Sequence, residues 1–212
     1  LDFEHVNSAV PLFDHYRPFE TIVTQFSLHK CNKQPYPGLE KSTFDMEHFE
    51  YITDGSTESL EYLVEDLIHK AGNHGSILVY SSSEATQLQR LGDRYPHLRD
   101  GIMSLKSRLV DLADIIRKNV AHPSFRGRYS LKVVLPALVP EYSGTYDSLA
   151  ISDGAEAVLS LEHMLDGMAS TAEKDEIRAD LLEYCALDTL GLVDLHAALY
   201  AIASNTSNSE SK

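Results

Sequence analysis

Apolar residues follow one period at the start of this chain and another later, and this change constrains the fold most strongly. Residues 21–29 alternate as a β-strand does, with Ile22, Phe26 and Leu28 on one face. Residues 44–53 form a second segment of this kind. The chain also begins with a short strand-like stretch, so strands dominate its first quarter.

The helical period begins soon afterwards. Five apolar residues with the spacing i, i+3, i+4, i+7 and i+8 predict a helix, namely Leu60, Leu63, Val64, Leu67 and Ile68. Gly72 is placed to end that helix. The apolar run at residues 76–80 predicts a buried strand, and a further helix is predicted from about Glu84 to Tyr95, before Pro96.

Helices dominate the rest of the chain. They are predicted at residues 103–118, from Ser130 to just before Pro136, at 155–169 and at 174–203. We expect one domain over residues 1–203 and a disordered polar tail over 204–212. Early strands, later helices and one strand–helix alternation between them predict an α/β fold, a mixed sheet flanked by helices.

Bulk composition is that of a globular protein, since 43% of the 212 residues are hydrophobic and 24% are charged. We expect no membrane partner, because we find no continuous apolar run of about 18 residues. Cys31 and Cys185 lie far apart, which argues against a zinc ribbon or a disulfide framework and favours the cytoplasm. Because a strand is already under way at Leu1, we expect an excised domain with an upstream domain in the same polypeptide.

Acidic residues at the two ends of the chain form the candidate site. Asp2 and Glu4 are two residues apart, so both point to the same face of a strand. Tyr184 and Asp188 are four residues apart and neighbour each other on one face of a helix. Glu84 follows the buried strand. Carboxylates in such a set suit hard cations such as Mg²⁺ or Mn²⁺.

Each part of this set also has a structural explanation. Asp-x-Glu on a strand is usually polar surface, and Tyr-xxx-Asp on a helix is usually surface or packing. Glu84 completes the pattern Ser81-Ser82-Ser83-Glu84, in which a glutamate can cap its own helix. From the residues alone, capping is the favoured role for Glu84.

The combination resembles the DEDD superfamily of 3′–5′ exonucleases in its tyrosine subtype, with a ribonuclease-H-like fold. The resemblance covers about residues 1–203, and Asp2, Glu4, Glu84 and Asp188 match in order, with Tyr184 preceding the last acid. Glu84 stands where the superfamily usually has Asp. The stretches Leu-Asp-Phe-Glu, Gln-Phe-Ser-Leu-His and Glu-Tyr-Cys-Ala-Leu-Asp-Thr are similar to one bacterial branch whose domains are C-terminal parts of larger proteins.

The resemblance implies a nuclease that binds two divalent cations, Mg²⁺ or Mn²⁺, and hydrolyses terminal phosphodiesters of single-stranded DNA or RNA. Asp2 would bridge both ions, Glu4 would support one, and Asp188 would complete the second coordination sphere. Tyr184 would orient the attacking water. His5 would lie near the terminal sugar of the substrate.

The net charge of −14 is unfavourable for a nucleic-acid partner, but its distribution is uneven. Residues 106–132 carry seven basic side chains against two acidic ones. Arg126 and Arg128, in a loop with aromatic neighbours, suit phosphate contacts and base stacking. Lys132 at a helix start could meet a phosphate. A solvated helix face and a surface loop explain the same residues equally well.

Two rival functions remain open. The first is a non-catalytic exonuclease-like module that binds nucleic acid or a partner, which the glutamate at 84 and the net charge favour. The second is a phosphodiesterase for short oligonucleotides, since an acidic surface suits a short substrate. The polar stripe Gln25, Ser27 and His29 could contact substrate, but a half-covered sheet face explains it more simply.

Overall fold

A computed structural model describes residues 1–31 and 46–209, with the side chains of the last helix described through residue 204. Its first sheet is antiparallel in the order β1-β2-β3. The strands are β1 (Asp2–Val6), β2 (Ile22–Cys31) and β3 (Met46–Ile52). The strands predicted at 21–29 and 44–53 are confirmed over these ranges, and residues 44–45 lie outside the described part.

A β-bulge interrupts the pairing of β1 with β2. Glu4 pairs with Gln25, but His5 pairs with Val23, so Thr24 is an extra residue in β2. The prediction that Ile22 shares a face with Phe26 is therefore wrong. The bulge reverses the alternation, so that Ile22 and Phe26 pack in separate cores on opposite faces of the sheet.

A second, parallel pair of strands lies beside the first sheet. Ile77 of β4 (Ile77–Val79) pairs with Leu109 of β5 (Leu109–Asp111). The main-chain nitrogen of Leu1 donates a hydrogen bond to the carbonyl oxygen of Leu78 at 2.9 Å. The start of β1 therefore adjoins β4, and the strand bearing Asp2 lies between the two sheets.

Of the three helices before β5, the first two follow the predictions closely, and the third begins four residues before the predicted start at Met103. They are α1 (Thr57–Ala71), α2 (Ser83–Arg94) and α3 (Arg99–Ser107). Gly72, with φ of 61°, ends α1 by donating its N–H to the carbonyl of Ile68. A left-handed φ costs glycine least, because it has no Cβ.

The single helix predicted over residues 103–118 is wrong. Strand β5 separates α3 from α4 (Leu112–Asn119), and Asp111 caps α4 by accepting a hydrogen bond from Asp114 N at 3.2 Å. Buried Leu105, Leu112 and Ile116 keep a helical spacing across the break. Periodicity alone therefore could not detect a strand of only three residues.

Three helices complete the chain: α5 (Leu131–Leu138), α6 (Gly154–Leu165) and α7 (Thr171–Ser209). The predicted stop before Pro136 is wrong, because α5 continues past it and Val139 N still bonds to Leu135 O at 2.7 Å. Helix α7 extends beyond its predicted end at 203. Residues 210–212 of the predicted disordered tail lie outside the described part.

Helical layers cover both faces of the antiparallel sheet, which makes the molecule a mixed α/β fold with small sheets flanked by helices. One core, around Phe26 and Leu63, lies under α1–α3, and the other lies under α5–α7. Each large side chain that becomes fully buried contributes about 1.5–3 kcal/mol. The buried stripe of α7 has helical spacing and consists of Leu181, Tyr184, Cys185, Asp188, Thr189, Leu192 and Leu195.

Helix α7 is also long and apolar enough, over residues 171–204, to cross a membrane by length and composition alone. However, 39% of the apolar window is buried within the protein. A core helix passes the same test, and α7 packs on β2, so this helix is weak evidence for a membrane span.

Candidate functional site

Strand β1 and helix α7 bring Asp2 and Glu4 together with Cys185. The two carboxylates point to the same face of β1, towards the buried stripe of α7. One ligand atom from each of the three residues lies within 4.8 Å of the other two. The Cys185 thiol donates a hydrogen bond to Asp2 Oδ2 at 3.6 Å. The site thus joins side chains separated by more than 180 positions.

Asp188 lies one helical turn from Tyr184, as their spacing predicts, and near a second phenol, that of Tyr146. Tyr146 donates a hydrogen bond to Asp188 Oδ1 at 2.5 Å. Tyr184, one helical turn earlier on α7, also lowers the pKa of this carboxylate. Only 7% of Asp188 is exposed, and its pKa is nevertheless raised because burial disfavours the charged form.

Glu84 does not close the capping box. The side chain of Ser82, the N-cap of α2, makes no capping hydrogen bond. The Glu84 carboxylate instead accepts hydrogen bonds from the hydroxyls of Ser81 at 3.0 Å and Ser83 at 3.4 Å. Glu84 is 5% exposed, and burial raises its pKa. The favoured capping role is therefore replaced by a buried carboxylate beside the other acids.

The four carboxyl groups share one electrostatic environment. Burial, and then the negative charges of Asp188 and Glu84, raise the pKa of Asp2 to about 8. The pKa of Glu4 lies well above its usual value, because Glu4 is buried and lies near Asp2 and Asp188. Like charges held together in a buried place disfavour ionisation, and a bound cation would reverse this preference.

The Glu4 carboxylate lacks an internal partner. Glu4 is 7% exposed, and no donor in residues 1–31 or 46–204 hydrogen-bonds to its side chain. Buried carboxylates ordinarily receive hydrogen bonds or ion pairs, because an unpaired one is costly. The donor set and the unpartnered Glu4 fit a divalent cation held by oxygen ligands.

Lys132 supplies a positive charge close to Glu4 and Asp188. Its ammonium nitrogen lies 4.5 Å from the centre of the Tyr184 ring and 4.9 Å from that of Tyr146. It also donates a hydrogen bond to the carbonyl of Ser152. Its charge lowers the pKa of Glu4 and of Asp188. Lys132, the residue predicted to contact a phosphate, therefore lies at the edge of the group of acids.

The other predicted substrate residues lie elsewhere. His5 is half-buried on the face of β1 opposite Glu4, where burial and then the charge of Arg90 lower its pKa. Arg126 and Arg128 are exposed in the turn after Phe125, which itself is buried in the core. No contact between these three predicted residues and the four acids is present in the described structure.

The polar stripe of β2 is covered by α7. Gln25 donates a hydrogen bond to the carbonyl of Leu181 at 2.9 Å. The Thr189 hydroxyl lies 2.7 Å from Ser27 Oγ and 2.8 Å from His29 Nδ1. The stripe therefore fixes the helix that carries Tyr184 and Asp188, as the explanation by a half-covered sheet face predicts.

Two site residues escaped the sequence analysis. Cys185 follows Tyr184 and lies three residues before Asp188. This helical spacing could have indicated that Cys185 points to the same side as Tyr184 and Asp188. Tyr146 comes from an irregular segment rich in Tyr, Ser and Gly, and no periodic signal identified it.

A polar cavity adjoins the acids at the carboxyl ends of β4 and β5. Its volume is about 500 Å³, and Ser81, the partner of Glu84, lines it. Tyr129 and Arg117 also line it, with the guanidinium 6.0 Å from the ring centre. A cation, an aromatic ring and hydroxyls suit a phosphate and a stacked base.

Tyr146→Phe is expected to destabilise the protein at pH 7. The variant keeps the ring but removes the hydroxyl that bonds to buried Asp188, and a hydrogen bond to a charged group contributes about 1.5–3 kcal/mol. Urea denaturation measures the free energy of unfolding. Tyr62→Phe is the control, since Tyr62 is 53% exposed. Equal losses in the two variants would contradict the importance of the Tyr146–Asp188 bond.

The chain is similar to two uncharacterised proteins. It is 24% identical to the uncharacterised protein UU173 of Ureaplasma parvum over 91% of this chain and 30% of that relative. It is 26% identical to an uncharacterised MG366 homolog of Mycoplasma pneumoniae, over 97% of this chain and 32% of that relative. The chain thus spans about a third of the length of the curated relatives it matches.

No solved structure matches the chain significantly. The family model of a domain of unknown function, DUF2779, matches residues 1–130, which include β1 with Asp2 and Glu4 and the start of α2 with Glu84. The chain therefore belongs to the DUF2779 family.

Proposed function

We propose that this domain is a metal-dependent 3′–5′ exonuclease of single-stranded DNA or RNA. The observation that carries the proposal is the convergence of Asp2, Glu4, Glu84 and Asp188, all with raised pKa values, from one strand and two helices. Buried acids without cationic partners of their own are costly to a fold, which suggests retention for function.

The arrangement of strands supports a ribonuclease-H-like fold. The antiparallel order β3-β2-β1 continues into β4-β5 through the contact of Leu1 with Leu78. Asp2 then lies on the central strand, where helices from both layers can add ligands. We therefore include the ribonuclease-H-like fold, and with it the resemblance to the DEDD superfamily, in this proposal.

Asp2, Glu4, Asp188 and Glu84 would hold two divalent cations, Mg²⁺ or Mn²⁺. Such a pair, when bound, stabilises the attacking and leaving oxygens of an in-line displacement. Asp2 would contact both cations, because it neighbours Asp188 and Glu84. Asp188 is oriented by the hydrogen bond that it accepts from Tyr146.

Tyr184 acts in this scheme as a protonated donor. Burial and the charges of Asp188 and Glu4 raise the pKa of its phenol well above its usual value. A phenol held neutral can orient a water or a phosphoryl oxygen but cannot serve as a base at pH 7. Lys132, stacked on the same ring, would offset negative charge at the phosphate.

The cavity beside Glu84 would accept the nucleotide preceding the cleaved one. Arg126 and Arg128 lie in the turn after Phe125 and would extend the phosphate track to the surface. The net charge of −14 disfavours long polyanions, so short single strands are the preferred substrates in this proposal.

The test is digestion of oligonucleotides labelled at the 3′ or the 5′ end, with Mn²⁺, over a series of lengths. We expect early release of the 3′ label, a shortening ladder from the 5′ label, and nucleoside 5′-monophosphates as products. Chelation with EDTA and the Asp2→Asn variant should each stop the reaction. Activity that persists in Asp2→Asn, or no cleavage of any length by a metal-loaded wild type, would refute the proposal.

A further inference from the structure

The buried thiol of Cys185 is part of the candidate metal site. Cys185 is 0% exposed, and its sulfur lies 3.6 Å from Asp2 Oδ2. Sulfur, Asp2 and Glu4 offer one ligand atom each within a span of 4.8 Å. Because metal–sulfur and metal–oxygen bonds are about 2.3 and 2.1 Å, tetrahedral ligands of these kinds lie about 3.6 Å apart. The observed separation therefore suits one shared ion.

Glu4 supplies an independent indication of a ligand. Glu4 is only 7% exposed, and its carboxylate lies beside Asp2 and has no hydrogen-bond donor among the described residues. Lys132, whose positive charge lies close to it, is stacked on two tyrosine rings and bonded to Ser152. An ion bound by Asp2 and Cys185 would also reach Glu4 and compensate its charge.

A purely structural thiol explains the arrangement less well. Buried cysteines usually pack as small hydrophobes, yet this one faces a carboxylate. A thiol is a weak hydrogen-bond donor, so a serine would hold Asp2 more firmly. A cysteine suits this position better than a serine if its thiolate binds a metal.

We propose that Asp2, Glu4 and Cys185 form a mixed oxygen–sulfur site for a thiophilic divalent transition metal of the zinc, cobalt or ferrous class. The inference rests on the proposed function for the occupancy of the acidic site by cations, and replaces Mg²⁺ or Mn²⁺ with such a metal at the position nearest Cys185. Binding releases the thiol proton to solvent and leaves a thiolate ligand. Thiolate ligands select such metals over Mg²⁺, which prefers oxygen alone.

The experiment titrates the full chain with Co²⁺ and records the near-ultraviolet and visible spectrum. A sulfur-to-cobalt charge-transfer band is expected in the wild type and in Cys31→Ser, the matched control. Cys185→Ser should lose the band and bind Co²⁺ about 100-fold more weakly, a loss comparable to the largest ones seen when supporting residues of metal sites are removed. A large excess of Mg²⁺ should not displace Co²⁺ from the wild type.

Wild-type protein that binds Co²⁺ without a sulfur band would overturn this inference and leave the exonuclease proposal standing. The same band in a folded Cys185→Ser would also overturn it. Failure to bind Co²⁺, Mn²⁺ or Mg²⁺ would overturn the inference and the proposed function together. The wild-type spectrum decides the question even where Cys185→Ser does not fold.

Discussion

Asp188→Asn is expected to lower kcat for oligonucleotide hydrolysis by about 10³-fold. Asparagine has nearly the same shape and can still accept the hydrogen bond from Tyr146. It lacks the negative charge that a divalent cation requires, and electrostatic stabilisation by bound metals supplies several kcal/mol to the transition state. The measurement is single-turnover cleavage of a 3′-labelled oligonucleotide at saturating Mn²⁺.

The control for this variant is Asp175→Asn, an exposed aspartate on the same helix. It should keep wild-type kcat. Without metal, Asp188→Asn should be at least as stable as the wild type, because it removes one buried acid from a cluster of acids. An inactive variant with a lower free energy of unfolding would instead indicate a structural role, and an active one would exclude Asp188 from the metal site.

The second large effect is a loss of stability with rising pH in the metal-free protein. The pKa of Asp2 is about 8 in the folded chain and about 3.9 when unfolded. Between these values the folded state binds more protons than the unfolded state, so its stability falls as pH rises. The contribution of Asp2 to the stability of the folded state is complete below pH 4 and is lost as the pH rises through 8. From pH 5.5 to 8.5 the loss is about 3 kcal/mol.

The measurement is urea denaturation in EDTA at pH 5.5 and 8.5, for the wild type and Asp2→Asn. The difference between the two proteins reports Asp2 together with the carboxyl groups whose pKa values it raises, such as Glu4, while histidines with lowered pKa values, such as His29, titrate in both. Mn²⁺ binds the ionised carboxylates, so it should stabilise the wild type far more at pH 8 than at pH 5.5. An identical pH profile in Asp2→Asn would show that Asp2 titrates normally.

Local spacing predicted the direction of most site residues. Strand alternation places Asp2 and Glu4 on one face, and the helical stripe places Tyr184 and Asp188 together. These relations depend on backbone geometry within a few residues, which the sequence expresses directly. Strands β1 to β4 and helix α1 could be predicted for the same reason.

The features that escaped prediction depend on contacts between distant segments. The bulge at Thr24 arises from pairing with β1, and β5 forms because β4 lies beside it. Tyr146 reaches Asp188 from an irregular segment whose path is set by packing under α7. No period in the sequence encodes such contacts, so the structure was needed to find them.

Helix α7 both completes a core and carries Tyr184, Cys185 and Asp188 to the acids of β1. During synthesis the first strand emerges from the ribosome long before this helix does. A half-made chain therefore has Asp2, Glu4 and Glu84 but lacks Tyr184, Cys185 and Asp188. Under the proposed function, the nuclease stays inert beside the messenger and the ribosomal RNA until translation of the domain is finished.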